Sequence, residues 1–241
     1  LEDKRDIDTI VIPVGGGGLI SGVASAFRQM HPKTKIIGVC AKGAPAMYES
    51  YQKGEAIDSI SVRTIADGIA VRDTSPKNLE YIKECVDELV LVDDEEIANA
   101  ILFLLEKQKL VVEGAGASGV AALLHKKIKL KKGEKVATIL SGGNIDVTML
   151  SVIIQKGLIK SSRKMNLIIT LIDKPGSLKG LTDIFSGLSA NIVSIGYDRT
   201  STTLDYGDAH VTISLETKGE EHQESIRIKL KEKKYKFEEI R

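Results

Sequence analysis

The stretch that decides the fold is residues 7–30, IDTIVIPVGGGGLISGVASAFRQM, in which a strand pattern, four glycines and a helix pattern follow one another directly. Ile7–Val14 is rich in β-branched apolar residues, which is typical of a buried strand. Leu19–Met30 carries small and apolar residues at helical spacing. The glycines between them, Gly15–Gly18, predict a turn whose backbone is open to close approach.

This glycine turn is suited to bind an anion. Several backbone N–H groups can converge where no Cβ intervenes, and the following helix adds the positive end of its dipole. A tight turn alone is the alternative, but one or two glycines would suffice for that. We therefore expect a phosphate to bind to the backbone of Gly15, Gly16, Gly17, Gly18 and Leu19.

Two common phosphate motifs do not fit the turn. The dinucleotide fingerprint needs a third glycine where Ile20 or Ser21 stands, depending on the glycine from which it is counted. The P-loop needs a lysine after its second glycine, and Val23 follows Gly22 instead. The pattern thus disfavours NAD and ATP and favours a small cofactor with a single phosphate.

Strand and helix patterns alternate through the first 160 residues. Strands are predicted at Lys35–Ala41, Glu88–Val92 and Lys135–Leu140, and helices at Pro45–Lys53, Pro76–Val86, Glu113–Lys127 and Ile145–Leu158. A further helix is opened by Asp93, with Glu96 at the spacing of a capping box. The alternation predicts an α/β fold, in which helices cover both faces of a parallel sheet and the strand at 135–140 is buried.

A second glycine motif, Ser141-Gly142-Gly143-Asn144, also follows a predicted strand. In an open parallel sheet, ligands bind beyond the carboxyl ends of the strands. Both glycine motifs can therefore line one site. For Ser141, an ordinary residue at the start of the next helix is the alternative.

The sequence changes character at Lys160–Lys164, a polar basic linker. The patterns beyond it follow the order β-α-β-β-α-β, which is that of the ferredoxin-like α+β unit. The strands are predicted at Asn166–Ile172, Asn191–Tyr197, Ala209–Glu216 and Tyr235–Ile240, and the helices at Ser177–Leu188 and Glu220–Lys233. We therefore predict two domains, residues 1–160 and 165–241.

Composition excludes several classes of protein. Apolar residues make up 42% and charged residues 28% of the 241 residues, which is ordinary for a globular chain and unlike collagen or a disordered chain. The 34 basic and 33 acidic residues give a net charge of +1, which argues against nucleic acid or a membrane surface as a partner. Cys40 and Cys85 lie far apart, so we expect a cytoplasmic protein. The histidines show no metal-ligand spacing.

Four segments, in the same order, resemble the serine/threonine dehydratases of the tryptophan-synthase-β-like group of pyridoxal phosphate enzymes. They are PVGGGGLISG at 13–22, TIADGIAV at 64–71, VEGAGA at 112–117 and ILSGGN at 139–144. The tail resembles an ACT domain, a small amino-acid-sensing module. The combination resembles the catabolic-type threonine dehydratases (threonine ammonia-lyases) over essentially the whole chain.

The resemblance implies pyridoxal 5′-phosphate as the cofactor. The turn Gly15–Leu19 would hold its phosphate, Ser141, next to Gly142, would hydrogen-bond the pyridine nitrogen, and Gly68 and Glu113 would lie near the ring. A neutral hydroxyl partner leaves the ring a weaker electron sink, which suits β-elimination. The implied reaction converts L-threonine, and L-serine, to a 2-oxoacid and ammonia. For Glu113, an ordinary acid at a helix N-terminus is the alternative.

One part of the family pattern is missing. The lysine that holds the cofactor as an aldimine lies in a Ser-Phe-Lys-x-Arg-Gly-like motif before the glycine turn, but only 14 residues precede Gly15 and Lys4 has no such context. We therefore expect the chain to be the C-terminal part of such an enzyme, inactive by itself and without a catalytic residue of its own. Relatives also place an acid after the second strand to feed a cation site; Lys42 stands there, so we expect no divalent metal.

In the tail, the resemblance implies an effector site for an aliphatic amino acid. The expected residues are Asp173, Pro175, Gly176, Ser177, Asn191 and Ile192. The helix that follows Gly176 has free N–H groups that can receive a carboxylate. Such sites are shared between two chains whose sheets pair edge to edge, so a homo-oligomer is expected. The alternative is that Asp173 and Asn191 only form turns.

Two other functions remain open. Another pyridoxal phosphate enzyme, such as a cysteine or threonine synthase, is disfavoured by the ACT-like tail and the TIADGIAV segment. A non-catalytic amino-acid sensor is favoured, for the chain as given, by the missing lysine.

Overall fold

The first half of the chain is built on four parallel strands in the order β3-β2-β1-β4, in a computed structural model that describes residues 6–240. The strands are β1 (Thr9–Pro13), β2 (Lys35–Ala41), β3 (Glu88–Val92) and β4 (Val136–Thr138). The helices are α1 (Gly18–Met30), α2 (Ala46–Lys53), α3 (Pro76–Cys85), α4 (Asp94–Phe103), α5 (Gly114–Leu124) and α6 (Val147–Lys160). The predicted α/β architecture with a parallel sheet is confirmed.

Alternate side chains of the central strands face two separate cores. On β1, Val11 packs in the cluster that contains α4 and α5, whereas Ile10 and Ile12 pack in the cluster that contains α1 and α3. Every residue of β1 is therefore buried. This explains why its sequence is a continuous apolar run and not an apolar–polar alternation.

The last strand of this sheet departs from its prediction. A buried strand is expected over Lys135–Leu140, but β4 covers only Val136–Thr138 and is half-buried. In the described part of the chain it pairs with β1 on one side and forms an edge of the sheet. An edge strand has less cover than a central one. The apolar pattern therefore indicated the strand correctly but not its burial.

Local signals set where several helices begin. The predicted capping box is present: the Glu96 N–H donates to Asp93 Oδ1 at 3.0 Å, and the Asp93 N–H donates to Glu96 Oε2 at 2.9 Å. Helix α6 starts at Val147, two residues later than expected. The Thr148 N–H donates to Asp146 Oδ1 at 2.7 Å, so Asp146 provides the cap that starts this helix.

The second half of the chain has the predicted β-α-β-β-α-β order. Its elements are β5 (Lys164–Ile172), α7 (Ser177–Gly187), β6 (Asn191–Asp198), β7 (Asp208–Glu216), α8 (Glu220–Glu232) and β8 (Lys236–Ile240). The strands form an antiparallel sheet in the order β6-β7-β5-β8. Alternate residues of β5, such as Leu167 and Ile169, pack with Phe185 of α7 and Ile226 of α8.

The chain divides into two compact units between Ile153 and Ile154. The sequence instead predicts the boundary after residue 160, where the composition changes. Helix α6 runs unbroken to Lys160, so the basic linker marks the end of this helix and not the limit of packing.

Within residues 6–240, no helix combines the length and the apolar character needed to cross a bilayer.

Candidate functional site

The glycine turn connects β1 to α1 at the carboxyl end of the parallel sheet. Gly17 is the N-cap of α1 with φ +87°, and no side chain caps this helix. The first N–H groups of a helix have no partner within it, so those of α1 are available to an anion. A Cβ added at Gly17 would lie 3.0 Å from Asn78, Ile82 and Met47, whereas one added at Gly18 would meet nothing within 4 Å. The turn is thus tightly packed at Gly17 and open at Gly18.

A cavity of about 340 Å³ opens at this turn. It brings together most of the residues that the sequence predicted for the cofactor: Gly15, Gly16, Gly17, Gly18, Leu19, Gly68, Glu113 and Ser141. Pro13, Ile69 and Ala115 complete the lining and were not predicted. Their neighbours in sequence, Gly15, Gly68 and Glu113, were the only signal that could have indicated them. Among residues 6–240, those that line the cavity include no lysine.

Glu113 is held between two glycines. A Cβ added at Gly142 would lie 2.5 Å from Glu113 Oε1, and one added at Gly68 would lie 3.2 Å from the same oxygen. The Asn144 N–H donates to Glu113 Oε2 at 3.1 Å, and the Glu113 N–H donates to the Gly142 carbonyl at 3.1 Å. Gly142 is not part of the cavity lining; it contacts Glu113 and makes room for its carboxylate.

The structure decides between the alternatives for Ser141, whereas Glu113 combines a place at a helix N-terminus with a place in the cavity lining. Glu113 is the N-cap residue of α5, but its side chain makes no capping hydrogen bond and is bonded to the second glycine motif instead. Ser141 lies on the loop that precedes α6, well before the helix begins at Val147. An ordinary role at the start of a helix is therefore wrong for Ser141, which lines the cavity.

A second cavity of about 440 Å³ shares Gly68 and Glu113 with the first. Beside it, the Thr64 hydroxyl donates to Asp94 Oδ1 at 2.6 Å and the Ile65 N–H donates to the same oxygen at 3.2 Å. These bonds attach the TIADGIAV segment to the start of α4. Asp94 thereby helps to place Gly68 next to the cavity.

Sequence reasoning missed Asn78. Its amide Nδ2 donates to the Gly16 carbonyl at 2.7 Å, although the two residues are 62 positions apart. No local pattern connects them, because the contact exists only after α3 has packed on the glycine turn.

The predicted effector residues lie at opposite ends of the tail sheet. Strands β5 and β6 both run antiparallel to β7, and Lys164 and Asn191 both pair with Glu216. Asn191 is therefore level with the start of β5, whereas Asp173 follows its end. At ~3.3 Å per residue the two positions are about 30 Å apart. One chain does not bring Asp173 and Asn191 together, and a site that uses both residues needs two chains.

Each of these two residues already has partners. Asp173 Oδ1 accepts a hydrogen bond from the Tyr197 hydroxyl at 2.9 Å, and Arg199 Nε lies 3.6 Å from Asp173 Oδ2. The hydrogen bond to Asp173 raises the pKa of Tyr197. Asn191 Nδ2 donates to Glu216 Oε2 at 2.9 Å, and both residues line a groove of about 410 Å³.

The remaining effector residues have mixed surroundings. Gly176 is the N-cap of α7 with φ +90°, between Pro175 and Ser177, and no side chain caps this helix. Ile192 is half-buried and packs against the tail core.

Within residues 6–240, no group of three or more histidine, cysteine, aspartate or glutamate side chains could hold a metal ion.

Comparison with known proteins gives concordant matches. A family model described as "Pyridoxal-phosphate dependent enzyme" matches residues 1–142. The L-threonine ammonia-lyases of Thermotoga maritima and Geobacter sulfurreducens are 48% and 44% identical over 226 residues, which is 94% of this chain and 56% of each relative. The chain thus spans little more than half the length of these curated relatives.

Solved structures agree with the sequence matches. The processed form of threonine deaminase isoform 2 from Solanum lycopersicum has a TM-score of 0.59 at 36% identity, over 64% of this chain and 45% of that chain. Maize serine racemase has a TM-score of 0.59 at 36% identity, over 66% of this chain and 50% of that chain. Since the family model covers more than half of the sequence, the chain belongs to the pyridoxal-phosphate dependent enzymes, whose cofactor is pyridoxal phosphate.

Proposed function

We propose that this chain is part of an enzyme that deaminates L-threonine, and also L-serine, by β-elimination with pyridoxal phosphate. The observation that carries the proposal is the cavity at the glycine turn, which unites four sequence segments that are distant along the chain. The relatives named L-threonine ammonia-lyase support the same reaction.

The residues around the cavity fit the cofactor. The uncapped N-terminus of α1 and the open space at Gly18 would accept its phosphate. The Ser141 hydroxyl would provide a neutral partner for the ring nitrogen. When bound, pyridoxal phosphate supplies an electron sink for the electrons released at the α-carbon of the substrate.

The same cavity supports the expectation that this chain alone is inactive. A base is needed to remove the α-proton, and the lining residues that the structure describes include no lysine. Glu113 is the lining residue with a carboxylate, and it is bonded to the backbone of Asn144. A non-catalytic amino-acid sensor is therefore the second candidate function for the isolated chain.

A chimera tests the proposed reaction. In the L-threonine ammonia-lyase of Thermotoga maritima, the matching region is replaced by this chain, and threonine-dependent 2-oxobutanoate is measured. We expect the chimera to produce 2-oxobutanoate, and Ser141→Ala in the chimera to lower the rate at least tenfold with the cofactor still bound. We expect no product from the 241-residue chain alone. A folded, cofactor-loaded chimera without threonine turnover would contradict the proposal and favour the sensor.

We also propose that the tail is an ACT-type regulatory domain that binds an aliphatic amino acid between two copies. The β-α-β-β-α-β fold and the uncapped N-terminus of α7 support this function. Calorimetry with isoleucine, valine, threonine and serine tests it on the whole chain. We expect binding of at least one of them, and a loss of at least tenfold in affinity in an Asp173→Ala, Asn191→Ala double variant. Equal affinity in the double variant would leave the tail as a structural element.

A further inference from the structure

We infer that Asn78 is a positioning residue of the phosphate-binding turn: by holding the Gly16 carbonyl, its amide directs the N–H of Gly17 into the cavity. This role rests on the proposed cofactor site and names a residue that the glycine motifs themselves do not contain. Asn78 lies in the first turn of α3, and its Nδ2 donates to the Gly16 carbonyl at 2.7 Å.

The planarity of the peptide bond connects the two groups. In a trans peptide, the C=O of one residue and the N–H of the next point in opposite directions. No peptide bond in the described residues is cis. Because the Gly16 carbonyl points to Asn78 on α3, the Gly17 N–H must point away from α3. The cavity is lined by both glycines, so the orientation of this single peptide decides whether an N–H or a carbonyl oxygen faces a phosphate.

The peptide between Gly16 and Gly17 needs a contact from outside the turn to fix its orientation, because both of its residues are glycines. Glycine adopts positive and negative φ with similar ease, so the peptide between Gly16 and Gly17 can rotate at little cost. Packing does not prevent rotation at Gly16, where the nearest atoms to an added Cβ are side-chain atoms of Val71 at 3.7 and 4.0 Å. A hydrogen bond from a half-buried amide supplies the missing constraint.

A second contact ties α1 to the same residue. The Ser21 hydroxyl lies 3.5 Å from the Asn78 carbonyl oxygen. Asn78 therefore contacts the chain on both sides of the turn, at Gly16 before α1 and at Ser21 within it. Its side chain acts on the cofactor through the turn.

The experiment compares Asn78→Leu and Asn78→Asp with Ser75→Ala in the 241-residue chain. Both Asn78 variants remove the amide donor at similar size. Ser75→Ala removes the cap of the same helix, since the Ser75 hydroxyl oxygen accepts from the Asn78 N–H at 3.4 Å, without removing the bond to Gly16. The probes are pyridoxine 5′-phosphate and pyridoxine, which differ only in the phosphate and cannot form a bond with surface lysines because they lack the aldehyde.

Calorimetry measures the affinity ratio of the two probes, and amide hydrogen exchange measures the protection of the Gly17 N–H that bound pyridoxine 5′-phosphate adds. We expect the unchanged chain to prefer pyridoxine 5′-phosphate at least tenfold, and both Asn78 variants to lose most of this preference and most of the added protection at Gly17. Ser75→Ala should lower the melting temperature but keep the ratio. Ratios in the Asn78 variants equal to that of Ser75→Ala would overturn the role of Asn78 alone. No preference for the phosphate in the unchanged chain would overturn the proposed cofactor site as well.

Discussion

At the scale of single residues, Gly17 combines two constraints that exclude a side chain. Its φ of +87° is unfavourable for β-branched residues, and an added Cβ would contact three side chains at 3.0 Å. We expect Gly17→Val to lower the free energy of unfolding by about 2–4 kcal/mol, from backbone strain and overpacking together. Urea denaturation measures this loss.

Gly18→Ala is the matched control for this substitution. An added Cβ at Gly18 has open space around it, and alanine is favoured over glycine in a helix by up to ~1 kcal/mol. We expect unchanged or slightly higher stability. A loss in Gly18→Ala as large as that in Gly17→Val would show that the local packing of the turn is not the cause.

Cys40 is a buried thiol that should make the stability of the folded chain depend on pH. Burial raises its pKa to about 12, so the folded chain holds this proton more tightly than the unfolded chain does. The free energy of unfolding should therefore fall as the pH rises above ~8.5, the ordinary pKa of a thiol, by ~1.4 kcal/mol per pH unit. Urea denaturation between pH 8 and 10 measures the slope, and Cys40→Ala should reduce it by this amount. An identical slope in the variant would contradict the assignment.

At the scale of secondary structure elements, Arg227 joins α8 to β8. Its Nε lies 3.0 Å from Glu239 Oε2, and its Nη1 contacts Glu220 at 2.8 Å and Glu224 at 3.0 Å. These carboxylates, Glu239 foremost, raise the pKa of Arg227. The Arg227 side chain is 13% exposed and that of Glu239 is 21% exposed, so solvent screens this pair less than a surface pair.

We expect Arg227→Met to destabilise the tail by about 1.5–3 kcal/mol, because it removes the charged hydrogen bonds that a mostly buried side chain makes between α8 and β8. Lys229→Met is the control on the same helix. Lys229 pairs with Glu232 at 2.8 Å, but both side chains are about half exposed, and such pairs contribute at most ~1 kcal/mol. Urea unfolding of the tail measures both variants. Similar losses in the two would show that the helix surface, and not the contact with β8, determines the effect.

At the scale of the whole molecule, β6 offers an unprotected edge for pairing. It is one of the two edge strands of the tail sheet in the described residues, and its apolar residues Val193, Ile195 and Tyr197 are 52%, 42% and 40% exposed. Exposed apolar edges favour pairing with another strand. In an antiparallel β6–β6 pair related by a two-fold axis, the Asn191 end of one chain meets the Asp173 end of the other. This arrangement would bring the two predicted effector residues to the same end of the joined sheet, which a single chain does not.

We expect the chain to form a dimer through β6, and Ile195→Lys to raise the dissociation constant of this dimer at least tenfold, because a charge on the paired edge must lose its hydration. Analytical ultracentrifugation measures the effect. Ile228→Lys is the control, since Ile228 is 49% exposed but lies on α8. A monomeric unchanged chain, or equal weakening by both variants, would contradict pairing through β6.

Much of this protein is determined by local sequence. Strands β2 and β3 have the predicted bounds because their β-branched runs end at turn residues, and the Asp93–Glu96 capping box forms because its hydrogen bonds need only three residues of chain. The glycine turn and the second glycine motif were recognisable as two parts of one site, because parallel strands end at a common edge.

Other features were decided only by tertiary structure, because they depend on contacts between residues that are distant in sequence. Strand β4 is only half-buried because it lies at the edge of the sheet, and its apolar residues do not indicate this position. The hydrogen bond from Asn78 to the Gly16 carbonyl forms only when α3 packs on the turn. Gly142 is needed as a glycine only because the Glu113 carboxylate lies beside it. The separation of Asp173 from Asn191 follows from the strand order of the tail, which sets the two residues at opposite ends of one sheet.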